Sequence, residues 1–257
     1  MVLPRRSPFR LTSSSRRESK ASRRRNCRIL VVVLTLWLGL ACLGGEPSGD
    51  KVPLQLQLPR PQFIGTPIHL KIANLREFRP GTRPEFLVPA GVTNVALHKP
   101  VTASDKVPTL GELGQVTDGD KDGYEGSYVE IGPGRQYFQI DLKERYRIFA
   151  IVVWHYHAQA RVYHDVVVQV ADDPKFTVDV RSVYNNDFDN SSGLGVGRDR
   201  EYIDSHEGLL IGVPGVTARY VRLYGNGNTE NDLNHCTEIE VYGTKPVNPS
   251  TEEEGRE

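Results

Sequence analysis

The 257-residue sequence has little cysteine and no net charge, and both absences exclude classes of protein. Its 32 basic and 32 acidic side chains cancel, whereas binding to nucleic acid requires a basic surface. We therefore expect no nucleic acid partner. Cys27 and Cys42 fall in or beside a predicted export signal, so cleavage would leave Cys236 without a partner for a disulfide. We interpret Cys236 as a small buried residue rather than a nucleophile.

Long apolar runs are also scarce, and the clearest one lies near the N-terminus. Arginine-rich residues 5–28 precede the apolar run Ile29–Leu40, and small residues follow it. This order is typical of a secretory signal, and the run is shorter than the roughly 20 residues of a membrane-spanning helix. Residues 1–45 are thus predicted to be an export segment of a secreted or cell-envelope-associated protein without a membrane span in the mature chain. Lipidation at Cys42 is the alternative to simple secretion.

The rest of the chain divides into three segments of different character. Residues 46–93 contain eight prolines, too many for a helix or a central strand, and are interpreted as a Pro-rich arm or spacer. Residues 94–243 show short alternating strands between Gly and Asn turns, which predicts one antiparallel β-sandwich or barrel. Residues 244–257 are polar, end in glutamates and are predicted to be a disordered acidic tail.

Two apolar runs in the middle of the chain frame the main candidate site. Ile148–Val153 and Val166–Val170 are predicted as a rigid strand pair joined by a polar loop, and loops on rigid strands commonly carry binding residues. Arginine and histidine suit sugar hydroxyl groups, and an indole or phenol ring would stack on the apolar face of a sugar. The predicted ligand-binding residues are Trp154, His155, Tyr156, His157, Arg161 and His164.

The same residues have an alternative interpretation. His155 and His157 share a face if the strand continues through them. Otherwise the aromatic rings pack the edge of the core, and the histidines bond local carbonyl groups. Asn226–Asn231 is a second candidate for the binding rim, and its composition is also that of an ordinary turn. Asn185–Glu201 is interpreted as a covering loop.

The stretch Asp118–Gly123 alternates carboxylates with other residues around two glycines. Calcium takes six to eight oxygen ligands from such carboxylates and from backbone carbonyl groups. An EF-hand is excluded because its twelfth position would be Val129, with Glu130 one place late, and because no helix flanks the loop. The alternative is a solvated acidic turn.

Several phrases, in order along the chain, resemble F5/8 type C (discoidin-like) domains of the galactose-binding-like superfamily. They are Asn94–Ser104, Val116–Asp120, Phe138–Leu142, Val166–Pro174, Ala218–Leu223 and Glu238–Gly243. The resemblance implies an all-β jelly-roll sandwich over residues 94–243. It also implies a lectin-like module that binds glycans, as many members of this family do.

The resemblance further implies a structural calcium ion that joins the acidic loop to the last strand. The implied ligands are Gln115, Asp118, Asp120, Ser127, the carbonyl of Thr237 and the carboxylate of Glu238. Two departures from the family are visible. The cysteine pair that often closes the domain is missing, and Trp154 and His155 stand near the place of the first arginine of fucose-binding members, so fucose specificity is not implied.

Three functions follow from these patterns. The leading hypothesis is a secreted, non-catalytic module that binds an extracellular or cell-surface glycan and holds calcium. The first alternative is an adhesive domain that binds a protein. The second is a hydrolase in which His155, His157, His164 and Asp165 hold a metal ion, although no hydrolase motif supports it.

Overall fold

The computed structural model describes residues 50–62, 70–77, 79 and 81–246. The predicted export segment, with Cys42, and most of the predicted acidic tail lie outside these residues. Within the described part, the regular structure is β-strand apart from one short 3-10 helix at Leu113–Thr117. No helix among these residues has both the length and the apolar composition to cross a membrane.

The strands of the described residues pair in an antiparallel manner throughout. In chain order they are β1 (Lys51–Pro53), β2 (Leu87–Pro89), β3 (Thr93–Asn94), β4 (Val101–Ala103), β5 (Val129–Ile131), β6 (Gln136–Trp154), β7 (Val167–Ala171), β8 (Arg181–Asn185), β9 (Leu209–Gly225), β10 (Asn234–Cys236) and β11 (Glu238–Thr244).

Two long strands, β6 and β9, run through both layers of a sandwich. The first half of β6 pairs with β4 and with the second half of β9, and β7 and β8 continue that layer. The second half of β6 pairs with β11 and with the first half of β9, and β3 continues that layer beyond β11. Register shifts between Asp141 and Tyr146, and between Ile148 and Ala150, interrupt the ladder where the layers meet. This arrangement fits a jelly-roll sandwich and confirms the all-β prediction.

One apolar core fills the space between the layers. Alternate residues of each strand enter it, as the period of two requires. Alternate apolar residues of β6, β9 and β11 are all buried there: Phe138, Ile140, Leu142, Val221, Leu223, Ile239 and Val241.

A second, smaller core covers the outer face of the layer that contains β11. Ala150, Val152 and Trp154 of β6 face it. Leu54 and Phe86, from the predicted Pro-rich arm, pack against them. The run Ile148–Val153 is therefore continuously apolar because both of its faces are buried. The described parts of the arm lie on the sandwich, and the segment boundaries given above stay predictions.

The predicted strand pair that frames the polar loop needs correction. The stretches 137–142 and 148–153 belong to one strand, β6, because the polar residues between them form a bulge rather than a turn. The run Val166–Val170 corresponds to β7, as predicted. However, β9 lies between β6 and β7 in the sheet, so the two strands do not pair with each other.

Candidate functional site

Trp154 ends β6 and is fully buried. Its indole Nε1 donates to the His206 carbonyl at 3.0 Å. The Lys121 ammonium lies 5.6 Å from the ring centroid. The prediction that Trp154 offers a ring to a sugar is wrong, because the indole is fully buried.

His155 and His157 are also buried, at 3% and 0% exposure. The Asp204 carboxylate accepts from both Nδ1 and the backbone N–H of His155, at 2.8 and 3.0 Å. The His155 ring stacks on Tyr163 with centroids 4.1 Å apart. His157 Nε2 lies 2.9 Å from the Lys121 carbonyl. A ligand-binding role for the two histidines is corrected accordingly: they hold the loop in place from beneath.

Tyr156 and Arg161, in contrast, reach the surface and lie together. The Arg161 guanidinium carbon is 4.7 Å from the centroid of the Tyr156 ring. Tyr128, which precedes β5, is also adjacent, with its ring centroid 4.8 Å from that of Tyr156. All three side chains are partly exposed. We call Tyr128, Tyr156 and Arg161 the rim.

The rim rests on a chain of hydrogen bonds that begins at β5. Glu130 Oε2 lies 2.9 Å from His235 Nε2, and His235 Nδ1 lies 3.1 Å from the Tyr163 hydroxyl. The same hydroxyl lies 3.3 Å from the Tyr156 carbonyl. Burial lowers the pKa of His235, which favours a neutral ring that donates from Nε2 to Glu130. The unprotonated Nδ1 and the Tyr156 carbonyl then compete for the single hydroxyl proton of Tyr163. The network lies directly beneath the backbone that carries Tyr156.

Arg161 has no carboxylate partner among the described residues. Its Nη2 donates to Gln159 Oε1 at 3.2 Å, and its Nε is buried without an acceptor. Arg161 also acts on the buried Tyr163 hydroxyl through a hydrogen bond, so only the guanidinium N–H groups that reach solvent are available to a ligand beside Tyr156.

His164 takes part in a different contact. Its Nδ1 lies 2.8 Å from Glu201 Oε1, and the hydrogen bond to Glu201 raises the pKa of His164.

The second candidate region, Asn226–Asn231, borders the segment that carries Arg161: Thr229 N–H donates to the Val162 carbonyl at 3.0 Å. Asn228 of that region is buried, and Glu230 is exposed.

The acidic loop and the last strand meet, as the predicted calcium site requires. Gly119 N–H donates to Glu238 Oε2 at 3.3 Å. Asp118 Oδ1 accepts from Asp120 N–H at 2.8 Å, and Asp120 Oδ1 accepts from Asp122 N–H at 2.9 Å, so the carboxylates curl the loop on itself.

The interior of this contact contains oxygen atoms without donors. Glu238 is fully buried, and its Oε1 has no partner; the buried Thr237 hydroxyl has none either. Burial raises the pKa of Glu238 to about 9. Gln115 donates to the Gly126 carbonyl at 3.0 Å, which places its side chain next to Ser127.

Another carboxylate group was not predicted. Within the described residues, the one group of three His, Cys, Asp or Glu side chains that converges within 4.8 Å is Asp165, Asp187 and Asp189. The carboxylates of Asp118, Asp120 and Glu238 do not converge to that distance. No histidine joins such a group, so the structure does not assemble the predicted hydrolase site from His155, His157, His164 and Asp165. Ser191 and Asn226 side chains donate to Asp165 at 2.7 and 2.8 Å.

Sequence reasoning missed Tyr128 of the rim and the residues beneath the rim, His235 and Tyr163. Glu130 appeared only as a position that excludes an EF-hand. Alternation along β10 was the available signal, because it turns His235 away from Cys236. Cys236 itself lies in the main core, where burial raises the pKa of its thiol, in agreement with the interpretation as a small buried residue.

No family model matches the chain, and no curated protein matches it. Solved structures do. A Clostridium perfringens module, CpGH89CBM32-4 in complex with GlcNAc-α-1,4-galactose, is 15% identical with a TM-score of 0.45, over 61% of this chain and 97% of that one. A Streptococcus pneumoniae fucose-binding module, SpX-3, is 19% identical with a TM-score of 0.43, over 60% and 99%.

The CBM32 module of AlyQ, in complex with 4,5-unsaturated mannuronic acid, is 21% identical with a TM-score of 0.41, over 55% of this chain and 92% of that one.

Proposed function

We propose that this chain is a non-catalytic module that binds carbohydrate at the rim and acts outside the cell or at the cell surface. The observation that carries the proposal is the rim itself: Tyr128 and Tyr156 expose aromatic surface beside Arg161, which has no carboxylate partner among the described residues. A sugar offers an apolar face and a ring of hydroxyl groups. The rim offers aromatic surface and guanidinium donors.

Rigid support of the rim favours binding over catalysis. The Glu130–His235–Tyr163 network and the His155–Asp204 pair hold the loop before any ligand arrives. A preorganised surface loses less conformational entropy on binding. The histidines of this region are engaged in these structural hydrogen bonds, which leaves the rim without an evident acid and base for hydrolysis.

Glycan binding by single-residue variants tests the proposal. Tyr156→Ala removes the ring and Arg161→Gln removes the donor fork, so each is expected to weaken binding of a retained glycan by about tenfold or more. Phe188→Ala, which removes an exposed aromatic ring elsewhere, is the matched control. Affinity-gel electrophoresis on a polysaccharide panel measures the change. Failure of the wild-type chain to bind any glycan, or equal binding by all three variants, would contradict the proposal.

We also propose that a structural calcium ion joins the acidic loop to β11. The buried Glu238 Oε1 and Thr237 hydroxyl lack donors, and a cation would compensate the charge that burial otherwise opposes on Glu238. The residues that would hold the ion are the predicted set: Gln115, Asp118, Asp120, Ser127, Thr237 and Glu238. Its role would be to fix the loop, since calcium prefers such oxygen ligands.

Thermal unfolding with and without calcium tests this site. Calcium at about 100 times its Kd should stabilise the wild-type chain by about 2.7 kcal/mol, whereas Glu238→Gln should lose most of that stabilisation. Glu125→Gln changes the same charge on the exposed part of the loop and should respond like the wild type. Identical melting temperatures in calcium and in EDTA for the wild type would refute the calcium site and leave the rim untouched.

A further inference from the structure

Arginines concentrate where two irregular segments run side by side. Leu75 pairs with Glu201 in a parallel bridge, and Arg76 N–H donates to the Glu201 carbonyl at 2.8 Å. One residue further along each segment, the Arg76 guanidinium lies 5.5 Å from the Tyr202 ring centroid. Arg198 and Arg200 precede Glu201 in the segment with which Arg76 pairs. We call Arg76, Arg198 and Arg200 the arginine edge.

The arginine edge is exposed, and the exposed acids Glu77 and Asp199 are interleaved with it along the two segments. All three arginine side chains are exposed, and none forms an ion pair within the described part of the chain. Two acids of these segments make other contacts. Glu201 is buried against His164 at 2.8 Å, and Asp199 Oδ2 accepts from the Asn185 N–H at 2.7 Å.

Two more arginines extend the positive surface along the same two segments. Arg83 Nη2 donates to the Glu207 carbonyl at 2.6 Å, and Arg79 and Arg83 share the Glu207 carboxylate at 3.9 and 3.7 Å. Burial lowers the pKa of Arg83, and the charges of Arg79 and Arg76 act in the same direction. The single carboxylate of Glu207 therefore balances only one of the two positive charges of Arg79 and Arg83.

The arginine edge is joined to the rim through neighbouring backbone. Asp204 N–H donates to the Arg161 carbonyl at 3.0 Å, and Val162 pairs with Ile203 in an antiparallel bridge. The segment 199–204 thus has the rim segment on one side and the arm segment 74–76 on the other. Three adjacent extended segments span about 10 Å, so a chain-like ligand that leaves the rim would meet the arginine edge.

We propose that the arginine edge binds the carboxylate or sulfate groups of an acidic polysaccharide whose other sugar units lie on the rim. The inference rests on the proposed function of the rim and names its ligand class. Guanidinium groups match planar carboxylates and sulfates through paired N–H donors. Three exposed guanidinium groups without ion-pair partners suit a ligand with spaced anionic groups, and the nearest described ring, Tyr202, is too buried to stack on a nucleic acid base.

The test compares acidic and uncharged polysaccharides. Binding to polygalacturonate (carboxylate), dextran sulfate (sulfate), dextran and galactomannan (both uncharged) is measured for the wild type and for R76Q/R198Q/R200Q at low and high NaCl. The triple variant is expected to lose at least about tenfold of its affinity for the acidic polymer at low salt, while binding to an uncharged polymer stays unchanged. The variant K106Q/K143Q/K175Q removes the same charge from other exposed positions and should bind like the wild type.

The outcomes separate this inference from the proposed function. Wild-type binding to uncharged polymers alone, or equal binding of acidic polymers by the wild type and R76Q/R198Q/R200Q, would overturn the arginine edge and leave the rim standing. Equal affinity for single-stranded DNA or for anionic lipid vesicles at the same salt would also overturn it. Absence of binding to every polymer would end both proposals. Circular dichroism confirms that each variant is folded, and R200Q alone replaces the triple variant if Arg76 proves necessary for folding.

Discussion

Gly208 leaves the space in which the large side chain of Trp154 is buried. Its backbone has φ of +65°, and an added Cβ would lie 2.7 Å from Cε2 of the Trp154 indole. Alanine at this position would be strained twice, by the left-handed backbone and by the clash. We expect Gly208→Ala to lower the free energy of unfolding by about 3 kcal/mol, measured by urea denaturation.

Gly134 supplies the matched control for that change. It has φ of +75° but no atom within 4 Å of an added Cβ. Gly134→Ala should therefore lose only the backbone contribution, about 1 kcal/mol. Equal losses in the two variants would show that contact with Trp154 contributes nothing.

The histidines of the polar loop show what residue type alone can and cannot predict. The sequence pointed to this loop because it gathers histidine, tyrosine and arginine, and its role as a binding loop stays a prediction. It could not assign His155 to the interior, because Asp204, its partner, lies 49 residues away in sequence. Tyr156 and Arg161 stayed at the surface because no comparable partner covers them.

At the scale of elements, the bulge in β6 is held to β9 by an ion pair. Arg219 Nε and Nη2 donate to the two carboxylate oxygens of Asp141 at 2.8 and 3.0 Å. The hydrogen bonds from Arg219, and then that from the Lys143 backbone, lower the pKa of Asp141 to about 2 from its ordinary 3.8. A carboxyl with a lowered pKa stabilises the fold above its ordinary pKa and loses that contribution as the pH falls.

Stability measured against pH should reveal this pair. Between about pH 4 and pH 2 the wild type should lose a contribution that Asp141→Asn lacks at every pH. The difference should stay below about 1 kcal/mol, since the pair is near solvent. Melting temperatures of both proteins from pH 2 to pH 7 provide the measurement. Parallel curves for the two proteins across this range would contradict the assignment.

The strands illustrate which features of an element the sequence determines. Alternation placed Phe138, Ile140 and Leu142 correctly in the core, because the period of two is local. The join between the two halves of β6 was missed, because Lys143–Tyr146 has the polar character of a turn and only pairing with β9 shows it to be a bulge. Sheet order was missed for the same reason, since β9 enters from about 60 residues away along the chain.

For the whole molecule, the arm completes the sandwich. Leu54, Leu56 and Phe86 cover Trp154 and Tyr242, which would otherwise lie on an open sheet face. A chain that begins at Thr93 should expose this apolar surface. We expect it to melt several degrees below the full chain and to bind the dye ANS.

A full-length Phe86→Ala variant should show the same effects in weaker form, by about 2 kcal/mol. Differential scanning calorimetry and dye fluorescence measure both variants. An unchanged melting temperature after removal of the arm would mean that the second core contributes no stability.

The rim is a property of the whole molecule and not of any one segment. Tyr128 precedes β5, Tyr156 and Arg161 follow β6, and His235 comes from β10. Local patterns could point to Tyr156 and Arg161, which share a loop. They could not supply Tyr128 or His235, which only the completed sandwich brings to within 5.3 Å of each other.

The passage of β6 and β9 through both layers has a consequence for how the molecule opens. Ile140 pairs with Val221 in one layer and Ile151 pairs with Ile211 in the other. The hydrogen bonds between β6 and β9 therefore belong to both layers of the sandwich. Neither sheet can come apart while the other stays intact. Amide protons along this ladder should therefore exchange with deuterated solvent only through global unfolding. Because the paired residues are so distant in sequence, refolding after such an event should be slow.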